Sequence, residues 1–177
     1  TLMISGVAIS RQDKAGLITF SEKAGEFIPA NHRTLQMNNI LNALYRLETS
    51  FPESDYAFLH SLVKTRIPQR SLLILFTNFE SLNSLNRQMP YFRNIAKKHL
   101  LLIVFFENTS LRELASGQAE NIERLYEKVI AEKFVLEKKT IVKELQRYGI
   151  PALLTAPERL TVDVVNKYLQ IKARREI

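Results

Sequence analysis

Two apolar runs of the sequence, 72–76 and 100–106, each end abruptly in side chains that can take part in hydrogen bonds or chemistry. The polar residues that follow the two runs are Thr77, Asn78, Glu80, Glu107 and Asn108. Hydroxyl, amide and carboxylate oxygens are the ligands that Mg²⁺ prefers, and a carboxylate can also act as a general acid or base. These positions could therefore bind a metal, take part in acid–base catalysis or contact a partner.

The two runs themselves predict how these side chains are positioned. Apolar runs without polar alternation are typical of strands buried on both faces, and the helical pattern between them indicates parallel neighbours joined by a crossover. In open parallel sheets, ligands bind beyond the carboxyl ends of the strands, which is where the polar residues stand. Short strands are also expected at 16–20 and 150–155, with helices between them. This alternation predicts an α/β fold, a three-layer sandwich with a mostly parallel sheet.

Local signals place the ends of three helices. Ser54 is expected to cap a helix that ends before Pro68, and Pro90 is expected to break or kink the helix between the two runs. Gly149 suits the carboxyl end of a long helical pattern over 119–148. The apolar stripe expected along that helix consists of Ile122, Tyr126, Ile130, Phe134, Ile141, Leu145 and Tyr148.

The composition limits the class of protein. The length of 177 residues is enough for one domain spanning 1–177 with a proper core. The chain is 46% hydrophobic and 24% charged, which is a normal balance for a soluble globular protein. The absence of cysteine excludes disulfides, thiolate metal sites and a cysteine nucleophile. No apolar run reaches the roughly 18 residues needed to span a bilayer, and no signal peptide is visible. The net charge of +7 favours acidic partners, nucleic acid or anionic lipid, although a solvated basic surface is the more ordinary explanation.

Several enzyme classes lack their motifs. The sequence has five glycines but neither Gly-x-x-x-x-Gly-Lys nor Gly-x-Gly-x-x-Gly, which argues against nucleotide hydrolysis. It has no Gly-x-Ser-x-Gly, so a serine hydrolase of this fold class is not expected. His32, His60 and His99 show no metal-ligand spacing, and a structural or surface role is expected for each.

Ser54 and Asn78 are the candidate metal ligands. Their oxygens could reach Mg²⁺ in a cleft at the strand ends, but both side chains are neutral and a divalent ion usually takes at least one carboxylate. The ordinary alternative is that these residues are helix caps and turn formers, and the residue types alone favour it.

Four segments, taken in order, resemble a bacterial family known as domain of unknown function 58, which is related to the von Willebrand factor A domain. They are the segment 13–20 (DKAGLITF), the pair Ser54–Asp55, the strand 71–79 (SLLILFTNF) and the tail 165–174 (VNKYLQIKAR). The resemblance covers nearly the whole chain, and its most specific part is the tail.

The resemblance implies a metal-dependent adhesion site whose ligands are an Asp-x-Ser-x-Ser loop, a threonine and an aspartate. The loop motif does not occur in this sequence, Ser54 falls at the threonine position, and Asn78 falls at the aspartate position without its charge. The implied site is therefore degenerate, with Mg²⁺ at most in a longer protein. The domain is expected to be incomplete at its N-terminus, because the first strand of the related fold has no counterpart.

The missing strand has a physical consequence. In the related fold it lies between the strands that correspond to 16–20 and 71–77, and buried strand edges without partners are costly. We therefore expect direct pairing of these two strands, pairing with another copy of the chain, or a strand supplied by residues outside this sequence.

The resulting functional prediction is a non-enzymatic protein-interaction module that presents its strand-end face to a protein partner. The resemblance implies a MoxR-type AAA+ ATPase as that partner and a cytoplasmic domain of a protein that is membrane-anchored through other segments. The first alternative is a metal-dependent hydrolase or nuclease that uses Glu80 or Glu107 in the same cleft. The second is nucleic-acid binding driven by the +7 charge, which is not expected because an aromatic and basic stacking motif is missing.

Overall fold

The computed structural model describes residues 1–21, 24–33, 35–47, 54–79, 81–118 and 121–176. These residues form seven α-helices, one short 3-10 helix and five strands, in the alternating α/β order that the sequence predicts. The chain divides into two compact units, Thr1–Arg66 and Ile67–Ile177, each with buried apolar residues of its own.

The first unit is built on an antiparallel hairpin. Its elements are α1 (Leu2–Ser10), β1 (Ala15–Phe20), β2 (Ala24–Asn31), α2 (Leu35–Tyr45) and α3 (Tyr56–Arg66). A small core forms where Leu17 of β1 meets Ile40 and Ala43 of α2. The buried Gln36 side chain of α2 donates hydrogen bonds of 2.8 Å to the carbonyl oxygens of Ala15 and Pro29, so it joins the helix to both strands.

The second unit contains a three-stranded parallel sheet. Its elements are β3 (Leu72–Phe76), α4 (Leu82–Ala96), β4 (Leu100–Phe106), α5 (Thr109–Ser116), α6 (Ile122–Arg147), β5 (Ala152–Thr155), the 3-10 helix Pro157–Arg159 and α7 (Leu160–Ala173). The strands are ordered β3-β4-β5 with β4 in the centre. The predicted parallel pairing of the two apolar runs is confirmed, with Leu75 opposite Ile103.

The central strand explains why this unit folds as it does. Residues 101–105 of β4 are all buried, as expected for an apolar run covered on both faces. Helix α4 packs against β4, and α6 packs against β5 and α4. Phe92 of α4 and Leu145 of α6 are fully buried in the core of this unit. Gly149 follows α6 with φ +73°, the left-handed conformation predicted for its position.

The predicted cap of α3 is wrong, and the helix break expected at Pro90 is absent. Asp55 rather than Ser54 caps α3, because its Oδ1 accepts a hydrogen bond of 2.9 Å from the Phe58 N–H, and a carboxylate also suits the positive end of a helix. Helix α4 continues through Pro90 without a break. Its neighbours Met89 and Phe92 are buried, so packing on β4 holds the helix together across the missing N–H.

The predicted apolar stripe of α6 is buried at only two of its seven positions. Ile141 and Leu145 are buried, whereas Ile122, Tyr126, Ile130, Phe134 and Tyr148 are exposed. The reason is length: α6 has 26 residues and therefore spans ~39 Å. The neighbouring strand β5 has four residues and spans ~13 Å, so the first half of the helix extends beyond the sheet.

The strands expected to flank a missing neighbour belong to different sheets, β1 with β2 and β3 with β4. Direct pairing of these two strands is therefore not what the described residues form. Along β3, the Ser71 carbonyl and the Thr77 N–H bond to Leu100 and Val104 of β4, and the opposite edge of β3 has no strand partner among the described residues. Pairing with another copy or with residues outside this sequence stays a prediction.

Candidate functional site

The carboxyl ends of β3, β4 and β5 lie side by side at one edge of the parallel sheet. The register pairs Phe76 with Val104, and Phe106 with Thr155, so the residues after each strand reach the same edge. We call this edge the strand-end rim. It is defined by Thr77, Asn78, Glu107, Asn108 and Thr155.

The tip of β3 is held by a lysine from α6. The Nζ of Lys138 donates to the Oδ1 of Asn78 and to the carbonyl oxygen of Phe79. Asn78 is exposed and Lys138 is half-buried, so this ammonium sits at the border between the rim and the interior. Asn78 therefore binds a cation, but the cation is a side chain of the same chain.

Glu137, the residue before Lys138, holds the backbone at the start of α4. The Glu137 Oε1 accepts a hydrogen bond of 3.1 Å from the Leu82 N–H at the start of α4. The hydroxyl of Ser81 accepts from the Ser84 N–H at 3.2 Å and caps the same helix end. Two consecutive residues of α6 thus hold the connection from β3 to α4.

The tip of β4 carries an ion pair and a helix cap. The Arg112 guanidinium lies 3.0 Å from the Glu107 Oε2, with the arginine side chain 53% exposed and the glutamate side chain 20% exposed. The Asn108 Oδ1 accepts a hydrogen bond of 3.1 Å from the Leu111 N–H and so caps α5. Both predicted interaction residues of this tip therefore have structural partners, while Asn108 and Arg112 stay exposed.

The tip of β5 carries a hydroxyl–carboxylate contact that the sequence interpretation did not include. The buried Thr155 donates from Oγ1 to the Oδ2 of Asp163 at 2.6 Å. The Arg159 guanidinium approaches the other oxygen of Asp163 at 3.3 Å. Asp163 lies in the first turn of α7, where the helix dipole also favours a negative charge.

The oxygen donors of the rim do not suit a divalent cation. An ammonium already bonds to Asn78, the Glu107 carboxylate faces a guanidinium, and the Asn108 oxygen is used by a backbone N–H. Across the described residues, no three His, Asp or Glu side chains come close enough together to hold a metal ion. Mg²⁺ needs several free oxygens, preferably anionic ones, and the contacts of these donors leave few.

The remaining candidate residues are Ser54, Thr77 and Glu80. Ser54 is half-buried in the first unit, one residue before the cap Asp55. Thr77 is half-buried, and its N–H continues the ladder to the Val104 carbonyl at 3.1 Å. Glu80 lies outside the described residues. Assignment of Ser54 and Asn78 to a metal and of the rim residues to a partner stays a prediction.

Among the histidines, His99 is buried directly before β4, His60 is half-buried in α3, and His32 is exposed. Burial lowers the pKa of the His99 imidazole, and the Lys98 and Arg70 cations lower it further. The His99 Nδ1 has no hydrogen-bond partner among the described residues. It stands at the amino end of its strand, the opposite end from the rim, which fits a structural role.

The sequence interpretation missed Lys138 and Asp163. A signal for Lys138 was present, because Glu137 and Lys138 interrupt the apolar positions that run from Phe134 to Ile141. Two charged residues on the inner side of a helix indicate polar partners there. A weaker signal for Asp163 was its place in the first turn of the helix after β5.

The chain matches no protein-family model, no curated protein and no solved structure. Among the described residues, no helix combines the length and the apolar character needed to cross a membrane. The resemblance to domain of unknown function 58 and to the von Willebrand factor A domain therefore stays a prediction.

Proposed function

We propose that the chain is a non-enzymatic protein-interaction module of the von Willebrand factor A type that binds a protein partner through the strand-end rim. In this proposal the parallel sheet of the second unit is the centre of a three-layer sandwich. Asn78 is the remnant of a metal ligand, and Lys138 supplies the positive charge at its side chain.

The observation that carries the proposal is that polar side chains at the strand ends are held by partners from the neighbouring helices. Lys138 bonds to Asn78, Arg112 to Glu107, and Arg159 to Asp163. A catalytic site needs carboxylates or bases that converge on a reacting atom, whereas these groups converge on their own partners. Fixed and exposed polar groups such as Asn108 and Arg112 suit recognition of another protein surface.

The class of partner follows from the family resemblance. Members of the resembled family are often encoded beside MoxR-type AAA+ ATPases, so the proposed partner is such an ATPase. The proposed location is the cytoplasm, with any membrane attachment through segments outside this sequence. Nucleic acid is not a proposed partner.

The proposal is tested by the binding of the chain to a purified MoxR-type AAA+ ATPase from the same host, measured by biolayer interferometry. Arg112→Glu reverses an exposed rim charge next to Glu107 and should weaken binding about tenfold, equivalent to ~1.4 kcal/mol. Arg147→Glu reverses a comparable charge beside Glu144 on α6, away from the rim, and should leave binding unchanged. Absence of binding, or equal losses for both variants, would refute the proposal.

A further inference from the structure

Helix α6 carries a second apolar stripe, on the side opposite its buried residues. Ile122, Val129 and Leu136 are spaced seven residues apart, so they lie almost in line along the helix. Their exposed fractions are 86%, 55% and 64%. Leu125 and Tyr126 lie between them and are exposed by 52% and 70%. These five residues are the outer α6 stripe.

The inner side of α6 has a different set of residues. Ala131, Ile141 and Leu145 are buried where the helix packs in the second unit. Val129 and Lys138 are nine residues apart, or two and a half turns, so they point to opposite sides. The packing of the second unit therefore explains the inner residues and leaves the outer α6 stripe without a partner among the described residues.

The size of this stripe approaches that of one side of a standard interface. Its five side chains expose on the order of 600 Å², which is the upper end for the largest apolar patch of a typical monomer. A stable dimer of standard size buries about 800 Å² on each partner. The stripe alone therefore supplies about three quarters of that area.

The spacing of the stripe is symmetric about Val129. Ile122 lies seven residues before it and Leu136 lies seven residues after it. When two copies of α6 cross antiparallel at Val129, a two-fold axis places the two Val129 side chains against each other. The same axis brings Ile122 of each copy to Leu136 of the other, so all three positions find apolar partners.

The charges at the border of the stripe select this direction. Glu132 and Lys133 stand between Val129 and Leu136. In a parallel pair the Glu132 side chain would face the Glu132 side chain of the other copy, which is unfavourable. In the antiparallel pair, Lys133 of one copy lies beside the Tyr126 ring of the other, and Glu132 comes within reach of Lys128 of the other copy.

We propose that the outer α6 stripe is a self-association surface through which two copies of the chain form an antiparallel two-fold dimer. The proposal is independent of what the strand-end rim binds, because no rim residue belongs to the stripe and Lys138, which bonds to Asn78, lies on the opposite side of α6.

Sedimentation velocity of the 177-residue chain over a range of concentrations tests the dimer. The expected species at high concentration has twice the 20.5 kDa mass of the monomer. Val129→Asp should raise the dissociation constant at least about tenfold. Val162→Asp, at a valine of α7 with a similar exposure of 57%, should leave the dissociation constant unchanged. A monomer at every concentration, or a dimer that survives Val129→Asp, would overturn the proposal.

Cross-linking tests the direction, because the chain contains no cysteine of its own. Val129→Cys should form a disulfide-linked dimer on mild oxidation, and Val162→Cys should not. A mixture of Ile122→Cys and Leu136→Cys chains should give the mixed dimer in excess over either homodimer. Preferential cross-linking of Ile122→Cys with itself would indicate a parallel pair and contradict the two-fold antiparallel arrangement.

Discussion

Replacing Lys138 by methionine tests whether the ammonium holds the tip of β3. The substitution keeps the stem of the side chain but removes the donor to Asn78 Oδ1 and to the Phe79 carbonyl. Lys139 is the matched control, since it is an exposed lysine at the next position of the same helix and Lys139→Met changes the charge equally.

The magnitude follows from the two hydrogen bonds and their exposure. A hydrogen bond to a charged group contributes ~1.5–3 kcal/mol when buried. Asn78 is exposed, so water replaces most of its bond, whereas the contact with the Phe79 carbonyl is partly buried. We therefore expect Lys138→Met to lower the unfolding free energy of the second unit by about 2 kcal/mol, and Lys139→Met by less than ~0.5 kcal/mol.

Native-state hydrogen exchange of the β4 amides measures this free energy directly, because the buried strand opens only when the second unit unfolds. Equal exchange rates for the two variants would refute the role given to Lys138. A second arm adds Mg²⁺ to the Lys138→Met chain. If Mg²⁺ restored the protection of the β4 amides from exchange, the oxygens of the rim would bind a divalent cation once the lysine is removed.

Two further predictions concern other buried polar groups. Because the pKa of His99 is lowered in the folded chain, the unfolded chain binds the extra proton first, and stability should fall as the pH drops through about 6.5. His99→Gln should remove this part of the pH dependence in urea unfolding curves, and His32→Gln, at an exposed position, should retain it. Thr155→Val removes the 2.6 Å bond to Asp163 and should cost ~1–2 kcal/mol by the same assay, while Thr161→Val, exposed on α7, should cost less than ~0.5 kcal/mol. A pH profile unchanged by His99→Gln would contradict the lowered pKa of His99. Equal costs for the two threonine variants would contradict the stabilising role of the Thr155–Asp163 bond.

The elements that local physics determines were predictable. The two apolar runs form neighbouring parallel strands because an unbroken apolar segment must be covered on both faces. Gly149 ends α6 in the left-handed region because other residues rarely adopt it. The errors arose where two local solutions compete, as at Ser54 and Asp55, which can both cap a helix, and at Pro90, where packing outweighs the missing hydrogen bond.

The rim was predictable in position but not in its contacts. Asn78 and Lys138 are sixty residues apart in sequence, and they meet only because α6 packs with its inner side toward the β3–α4 connection. Sequence periodicity assigns a residue to one side of a helix, but it does not fix the height at which that side meets the next element. The ion pair of Glu107 with Arg112 is closer to local, since both residues lie at one end of α5.

The two proposals concern opposite sides of helix α6, so they can be tested by different substitutions. Its inner side contributes Glu137 and Lys138 to the connection between β3 and α4, and its outer side carries the stripe centred on Val129. Val129→Asp acts on an exposed side chain and should leave the hydrogen exchange of β4 unchanged in the monomer. Lys138→Met loosens the rim and should leave the dimer dissociation constant unchanged, since Leu136 and Val129 stay in place on the outer side. If each variant changed both quantities, the two sides of α6 would be energetically coupled.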